Sequence, residues 1–186
     1  MRAPKGIRRG FTIVELVVVM AVMGIMAAIA IPRMRVTPHQ QVEGEARRVL
    51  QAIELARTRA YASRAAVQVA IGDSTITFYL DADRDSTFAL SGDETTAFGP
   101  GGVVRAPTGL RFLQGDPGAA PGDSTTARAA GSVQLARIAP RGTPDPFGSS
   151  FTVYVTSDAD DRATAAITMS PAGNVRYWTF HAGGGP

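Results

Sequence analysis

Residues Phe11 to Ile31 read FTIVELVVVMAVMGIMAAIAI, 21 residues with a single charge, Glu15, near the start. At about 1.5 Å per residue such a helix is about 31 Å long, close to the roughly 30 Å hydrocarbon core of a bilayer. The length predicts a membrane-spanning helix over residues 11–32. Arg2, Lys5, Arg8 and Arg9 precede it, and positive charge stays on the cytoplasmic side. Residues 1–10 are therefore expected in the cytoplasm. Everything after Pro32 is expected to be exported, as the bulk of a single-pass protein.

The remaining composition fits one folded domain. The chain has 186 residues, 45% hydrophobic and 19% charged, enough apolar material for a core and too little charge for a disordered tail. With no cysteine, a disulfide framework, a thiolate metal site and a cysteine nucleophile are excluded; with only His39 and His181, so is a histidine-rich metal centre. The net charge of +3 and a pI near 9.8 invite a nucleic-acid reading. Without the first ten residues, Lys+Arg falls from 19 to 15 against 16 Asp+Glu, so the net charge becomes −1. The basic character belongs to the leader.

Glu15 separates three readings of the N-terminal segment. A conventional signal peptide has an apolar stretch of about 7–15 residues and a small-x-small cleavage site. Ala28-Ile29-Ala30 offers such a site, but the stretch is long and contains an acid. A plain anchor explains the length and leaves unexplained a charge that costs roughly 2.5–3.5 kcal/mol at mid-membrane, and less near an interface. In the third reading, Arg8-Arg9-Gly10 followed by Phe11-Thr12-Ile13-Val14-Glu15 and an unbroken apolar run resembles the class III signal sequence of type IV pilins and type II secretion pseudopilins. The resemblance implies that a prepilin peptidase cuts between Gly10 and Phe11 and methylates the new amine of Phe11. It also implies that Glu15 neutralises that amine, or a neighbouring subunit's, and so sets register between packed helices. Gly24 would permit close helix packing. Pro32 would kink the helix as it leaves the membrane, as in the proteins it resembles.

A second helix is expected within residues 33–64. Thr37 can cap it, Pro38 suits its first turn and Gln40 completes a capping-box pattern. Ala46, Val49, Leu50, Ile53, Ala56 and Ala60 recur at helical spacing as a core-facing stripe, with Leu55 out of phase. Glu43 with Arg47 and Glu54 with Arg57 form i,i+4 and i,i+3 pairs. The arginines of this helix, interleaved with acids, read as a solvated surface, and His39 as exposed.

From residue 65 to 186 the helical period gives way to short β-rich runs: 65–71, 75–80, 103–106, 110–113, 133–138, 151–155, 164–169 and 175–180. Turn residues between them predict antiparallel hairpins, and Gln114 to Gly131 reads as a long mobile loop. The class is α+β: a long N-terminal helix packed on an antiparallel β-sheet head. Several features together resemble the minor pseudopilins of GspH and FimT type. They are the leader, the run Glu45-Ala46-Arg47-Arg48 leading to Glu54-Leu55-Ala56-Arg57, an Asp-rich turn after the second strand, and Ser170-Pro171-Ala172-Gly173-Asn174 near the closing strands. That resemblance implies a structural subunit near the tip of a type II secretion pseudopilus, with other pseudopilins as partners and protein export as its purpose. One alternative is a FimT-like minor pilin of a type IV pilus that binds DNA during uptake, with Arg105, Arg111, Arg128, Arg137, Arg141 and Arg176 as candidate contacts. Another is a soluble periplasmic protein released after Ala30.

Enzymatic chemistry is not expected. Gly99-Pro100-Gly101-Gly102 lacks the lysine of a phosphate loop, and neither histidine has a recognisable nucleophile setting. Asp81, Asp83 and Asp85 have the alternate spacing of a calcium loop. The EF-hand pattern fails at Ser86, where glycine belongs, and at Gly92, where glutamate belongs, so a solvated acidic hairpin is the expectation. No cofactor is expected apart from calcium at that loop. Asp158, Asp160 and Asp161 read as another acidic turn.

Overall fold

The computed structural model describes residues 11–30, 37–85, 88, 97–121 and 128–180. Two compact units divide after Val36. The first contains helix α1 (Ile13–Ala30) and the second helix α2 (Pro38–Ser63) with nine strands. The strands are β1 (Val67–Ile71), β2 (Thr75–Leu80), β3 (Val103–Arg105), β4 (Leu110–Arg111), β5 (Gln134–Ile138), β6 (Pro144–Asp145), β7 (Phe151–Ser157), β8 (Thr164–Met169) and β9 (Val175–Thr179).

α2 starts where its sequence signals place it. The Thr37 hydroxyl accepts from the Gln40 amide at 3.4 Å, and the Gln40 side chain accepts from the Thr37 amide at 3.2 Å. This reciprocal capping box satisfies two amides that the helix leaves open. The helix ends at Arg64, whose φ of 52° is left-handed. Val42, Ala46, Val49, Ile53, Ala56 and Ala60 alternate at four and three residues and are all essentially buried. Three of the six are alanines, which let the helix backbone approach the sheets closely. Of the expected ion pairs, Glu54–Arg57 forms at 3.7 Å. Among the described residues Glu43 and Arg47 do not pair, and the buried Glu45 takes Arg48 at 3.5 Å instead. Arg59 also departs from a solvated reading: its guanidinium lies over the Phe98 ring, 4.6 Å from the centroid, and donates to the Pro100 carbonyl at 3.0 Å.

The strands form two antiparallel sheets, one ordered β3-β2-β1-β5-β6 and the other β4-β7-β8-β9. α2 lies mainly against β7, β8 and β9 and also reaches β1 and β5, so one core joins the helix to both sheets. β7 and β8 are buried along their whole length. One face of this pair meets the core. On the other, Tyr154 and Ala166 pack with Ala120, Phe180 and Trp178 in a second apolar cluster. Threonines buried in these strands pair across the ladder, Thr152 with Thr168 at 3.1 Å and Thr156 with Thr164 at 3.0 Å. Each hydroxyl thus keeps a partner out of water.

Two expectations need correction, and a third reaches beyond the described residues. The strands include β6, which two residues beginning with proline cannot announce by pattern. The stretch Gln114–Gly131 is not free where described. Gly115 lies so close to the Thr164 side chain and the Asp161 carbonyl that a Cβ would collide with both. The Ala120 amide donates to the Tyr154 hydroxyl at 2.9 Å and the Gly131 amide to Asp73 at 2.7 Å. Finally, among the described residues no helix is long and apolar enough to cross a membrane. α1 has 18 residues, about 27 Å against roughly 30 Å of hydrocarbon. The expected span counted Phe11 and Thr12, which precede the helix, and residues 31–32, which lie outside the described part.

Candidate functional site

The N-terminal segment is the first candidate. Thr12 caps α1: its hydroxyl accepts from the Glu15 amide at 3.2 Å, and its carbonyl from the Leu16 amide at 3.2 Å. Thr12-Ile13-Val14-Glu15 is thus half of a capping box, a role for Thr12 that the sequence pattern carries and the sequence reading passed over. Glu15 sits in the first helical turn, where the helix dipole favours an acid. Its carboxylate is exposed and makes no ion pair among the described residues. Phe11 is 78% exposed, one turn's worth of chain before it. Gly10 and Pro32 lie outside the described residues.

Along α1 the consecutive residues Val17, Val18, Val19 and Met20 are between 48% and 65% exposed. Successive residues turn about 100° around a helix, so these four cover nearly its whole circumference with apolar surface. A helix apolar on every side requires apolar surroundings. Each such side chain withdrawn from water is worth about 1.5–3 kcal/mol. Nothing lies within 4 Å of a Cβ placed on Gly24, so that face is open for close approach.

The second candidate is the acidic loop after β2. Carboxylate oxygens of Asp81, Asp83 and Asp85 lie within 4.8 Å of one another. Asp83 and Asp85 are exposed, whereas Asp81 is only 3% exposed. The Asp81 amide continues the β1–β2 ladder by donating to the Ala66 carbonyl at 3.0 Å, and its Oδ1 is buried without a hydrogen-bond partner. A buried carboxylate left unpaired costs several kcal/mol. The solvated hairpin expected from sequence therefore describes Asp83 and Asp85 but not Asp81.

The arginines proposed for DNA divide into two groups. Arg111 pairs with Asp158 at 3.0 Å and also with Asp161, so the second acidic turn is a clamp for this arginine. Arg137 faces Asp145 at 3.3 Å. Arg128, only 8% exposed, donates to the Phe112 carbonyl at 2.5 Å and forms a close ion pair with Asp73 at 2.5 Å. Hydrogen bonding from the Gly131 amide, aided by Arg128, holds the Asp73 carboxyl below its usual range against the opposing effect of burial. Arg141 packs over the Phe147 ring, and Arg105 and Arg176 are exposed. Half of the six are thus committed to acids. Residues 37–186 as a whole contain 13 arginines against 15 acids.

At the edge of the second sheet, burial pushes the Tyr177 phenol up, and Glu43 adds to the shift. The Tyr177 hydroxyl has no hydrogen-bond partner. His39 is exposed, as expected, and borders a small cleft with Val42, Glu43, Thr164, Thr179 and Phe180.

Comparison with known proteins bears on the N-terminus most directly. The family described as the prokaryotic N-terminal methylation motif matches residues 6–31. The chain therefore carries the prokaryotic N-terminal methylation motif over those residues. Among solved structures it is similar to the minor pseudopilin EpsH from the type II secretion system of Vibrio cholerae. That likeness has a TM-score of 0.49 and 14% identity, covering 78% of this chain and 99% of that one. It is also similar to the type IV minor pilin FimU of Pseudomonas aeruginosa, with a TM-score of 0.45 and 11% identity over 76% of this chain and 88% of that one. No curated protein matches significantly.

Proposed function

We propose that this chain is a structural subunit of a pilin-like filament, a minor pseudopilin that supports protein export through a type II secretion system. A prepilin peptidase cuts after Gly10, and the amine of Phe11 is methylated. Residues 11–31 hold the chain at the inner membrane and then exchange lipid for the equivalent helices of neighbouring subunits. The Glu15 carboxylate and the cationic amine of Phe11 attract strongly in that low dielectric, which favours one axial register between subunits. The observation that carries this reading is the methylation motif over residues 6–31. The open apolar circumference of α1 supports it.

DNA uptake by a FimT-like pilin gains nothing from the arrangement of the arginines, three of which are neutralised within the head. The test is the intact mass and N-terminal fragment spectrum of protein purified from native membranes. A chain beginning at methylated Phe11 is the expected result. A soluble chain beginning at Ile31 would mean conventional export and would remove the assembly role of Glu15.

A further inference from the structure

We propose that the loop following β2 binds a calcium ion between the carboxylates of Asp81, Asp83 and Asp85. Two observations of different kinds meet there. The first is geometric: one carboxylate oxygen from each residue lies within 4.8 Å of the other two. Ligands at about 2.3–2.6 Å from a calcium ion are at most about 4.6–5.2 Å apart, so the three oxygens already occupy the span of one coordination shell. The second is the state of Asp81. It is 3% exposed, its Oδ1 has no hydrogen-bond partner, and its backbone is tied to Ala66 by the continuing ladder. A buried anionic oxygen with nothing to receive it asks for a cation.

Among the described residues no cationic side chain pairs with it. Arg84, between two of the acids, has a φ of 61° and donates its guanidinium to the Ser63 carbonyl at 3.3 Å. Asp81 and Asp83 make no ion pair among the described residues. The Asp83 carboxylate accepts the Asp85 amide, at a long 3.4 Å. Three carboxylates this close repel one another, and a divalent ion converts that repulsion into attraction.

The donor set selects the ion. It consists of oxygen alone, which suits a hard cation, and calcium accepts irregular loop geometry whereas magnesium demands a near-ideal octahedron and keeps its waters. With two of the three acids exposed, the affinity belongs to the weak class of extracellular modules, with a Kd of roughly 0.1–1 mM. Binding would fasten the loop to the end of β2 and give Asp81 its missing partner. This site is independent of the filament role, since it involves no residue of α1.

The full-length chain in detergent is tested by thermal melting in EGTA, 10 mM calcium chloride and 10 mM magnesium chloride, with calorimetric titration of calcium. Calcium is expected to raise Tm by about 3–8 °C, by mass action on the folded state, and to titrate one site. Asp83→Asn retains the acceptor for the Asp85 amide, and should keep the wild-type Tm in EGTA while weakening calcium binding at least tenfold. Asp81→Asn should abolish the response and raise Tm in EGTA, because it removes the buried charge. The absence of a saturable calcium response in the wild-type chain would overturn the proposal. So would a calcium response that survives intact in Asp83→Asn, or an equal response to magnesium. If Asp81→Asn does not fold, Asp83→Asn still decides.

Discussion

The chain has two long helices built on opposite plans. α2 carries apolar residues on one face, from Val42 to Ala60, and spends the other on arginines, glutamates and glutamines, so it needs a core on one side and water on the other. α1 has apolar side chains in every direction and a single acid in its first turn. Both are capped by a threonine, Thr37 for α2 and Thr12 for α1. Local signals therefore start the two helices in the same way, and the distribution of apolar residues decides what must surround each. One is completed by its own chain. The other is left with a surface that lipid or other copies of α1 would cover.

Matched truncations test this contrast most severely. Ile53 is fully buried in α2, and Ile53→Ala should cost about 2–5 kcal/mol through lost burial and the cavity left behind. Ile25 in α1 is 62% exposed, and Ile25→Ala should leave the thermal unfolding of residues 37–186 unchanged. Comparable losses in both variants, measured by chemical denaturation in one detergent, would show that α1 contributes to the stability of the head.

A smaller effect is expected at the start of α2. Thr37→Ala removes the hydroxyl that accepts from Gln40, and should cost about 1 kcal/mol. Thr37→Ser should restore most of it. If alanine is harmless in denaturant titrations, the cap is not what fixes the helix start.

Smaller again is the contribution of Asp73. Its carboxyl is held below the usual range in the folded state, so its stabilisation is present above about pH 4 and is lost as the pH falls through the depressed folded value. Asp73 is 37% exposed, and solvent screening keeps the effect to about 1 kcal/mol or less. The stability difference between wild type and Asp73→Asn should therefore be flat from pH 5 to 8 and shrink towards zero in acid. A difference that grows in acid would contradict the assigned pairing with Gly131 and Arg128.

The least change is expected from Tyr177→Phe. Its hydroxyl has no partner and its burial is what raises the phenol pKa, so deleting it should alter stability by no more than about 0.5 kcal/mol, with a gain as acceptable as a loss. A clear destabilisation would reveal a partner for that hydroxyl.

Much of the fold was legible in the sequence because it is encoded by period and by short-range chemistry. Thr37, Pro38 and Gln40 announce α2 within four residues, and the core stripe follows from spacing alone. Eight of the nine strands stand close to β-rich runs bounded by turn residues. The exception, β6, is too short to have a period and exists because Pro144 and Asp145 meet Ile138 and Arg137 across a ladder. The loop after Gln114 looked free because glycine, proline and serine carry no pattern. Its attachments to Tyr154, Asp161 and Asp73 come from residues 34 to 58 positions away. Leu55, out of phase with the stripe, still packs at the margin of the core, because the sheets extend past the face the stripe defines.

The same division holds for the candidate sites. The basic leader, Gly10, Phe11, Glu15 and the apolar run are contiguous, so the sequence by itself determined that this chain has an N-terminal methylation motif and a helix needing apolar surroundings. The alternate spacing of Asp81, Asp83 and Asp85 was equally visible. Only the tertiary structure decided that Asp81 is buried while its neighbours are exposed, and that Arg111, Arg128 and Arg137 are matched to acids instead of gathered on an open surface. Burial and pairing depend on chains of residues far apart in sequence closing around a side chain, and no local pattern records which ones will.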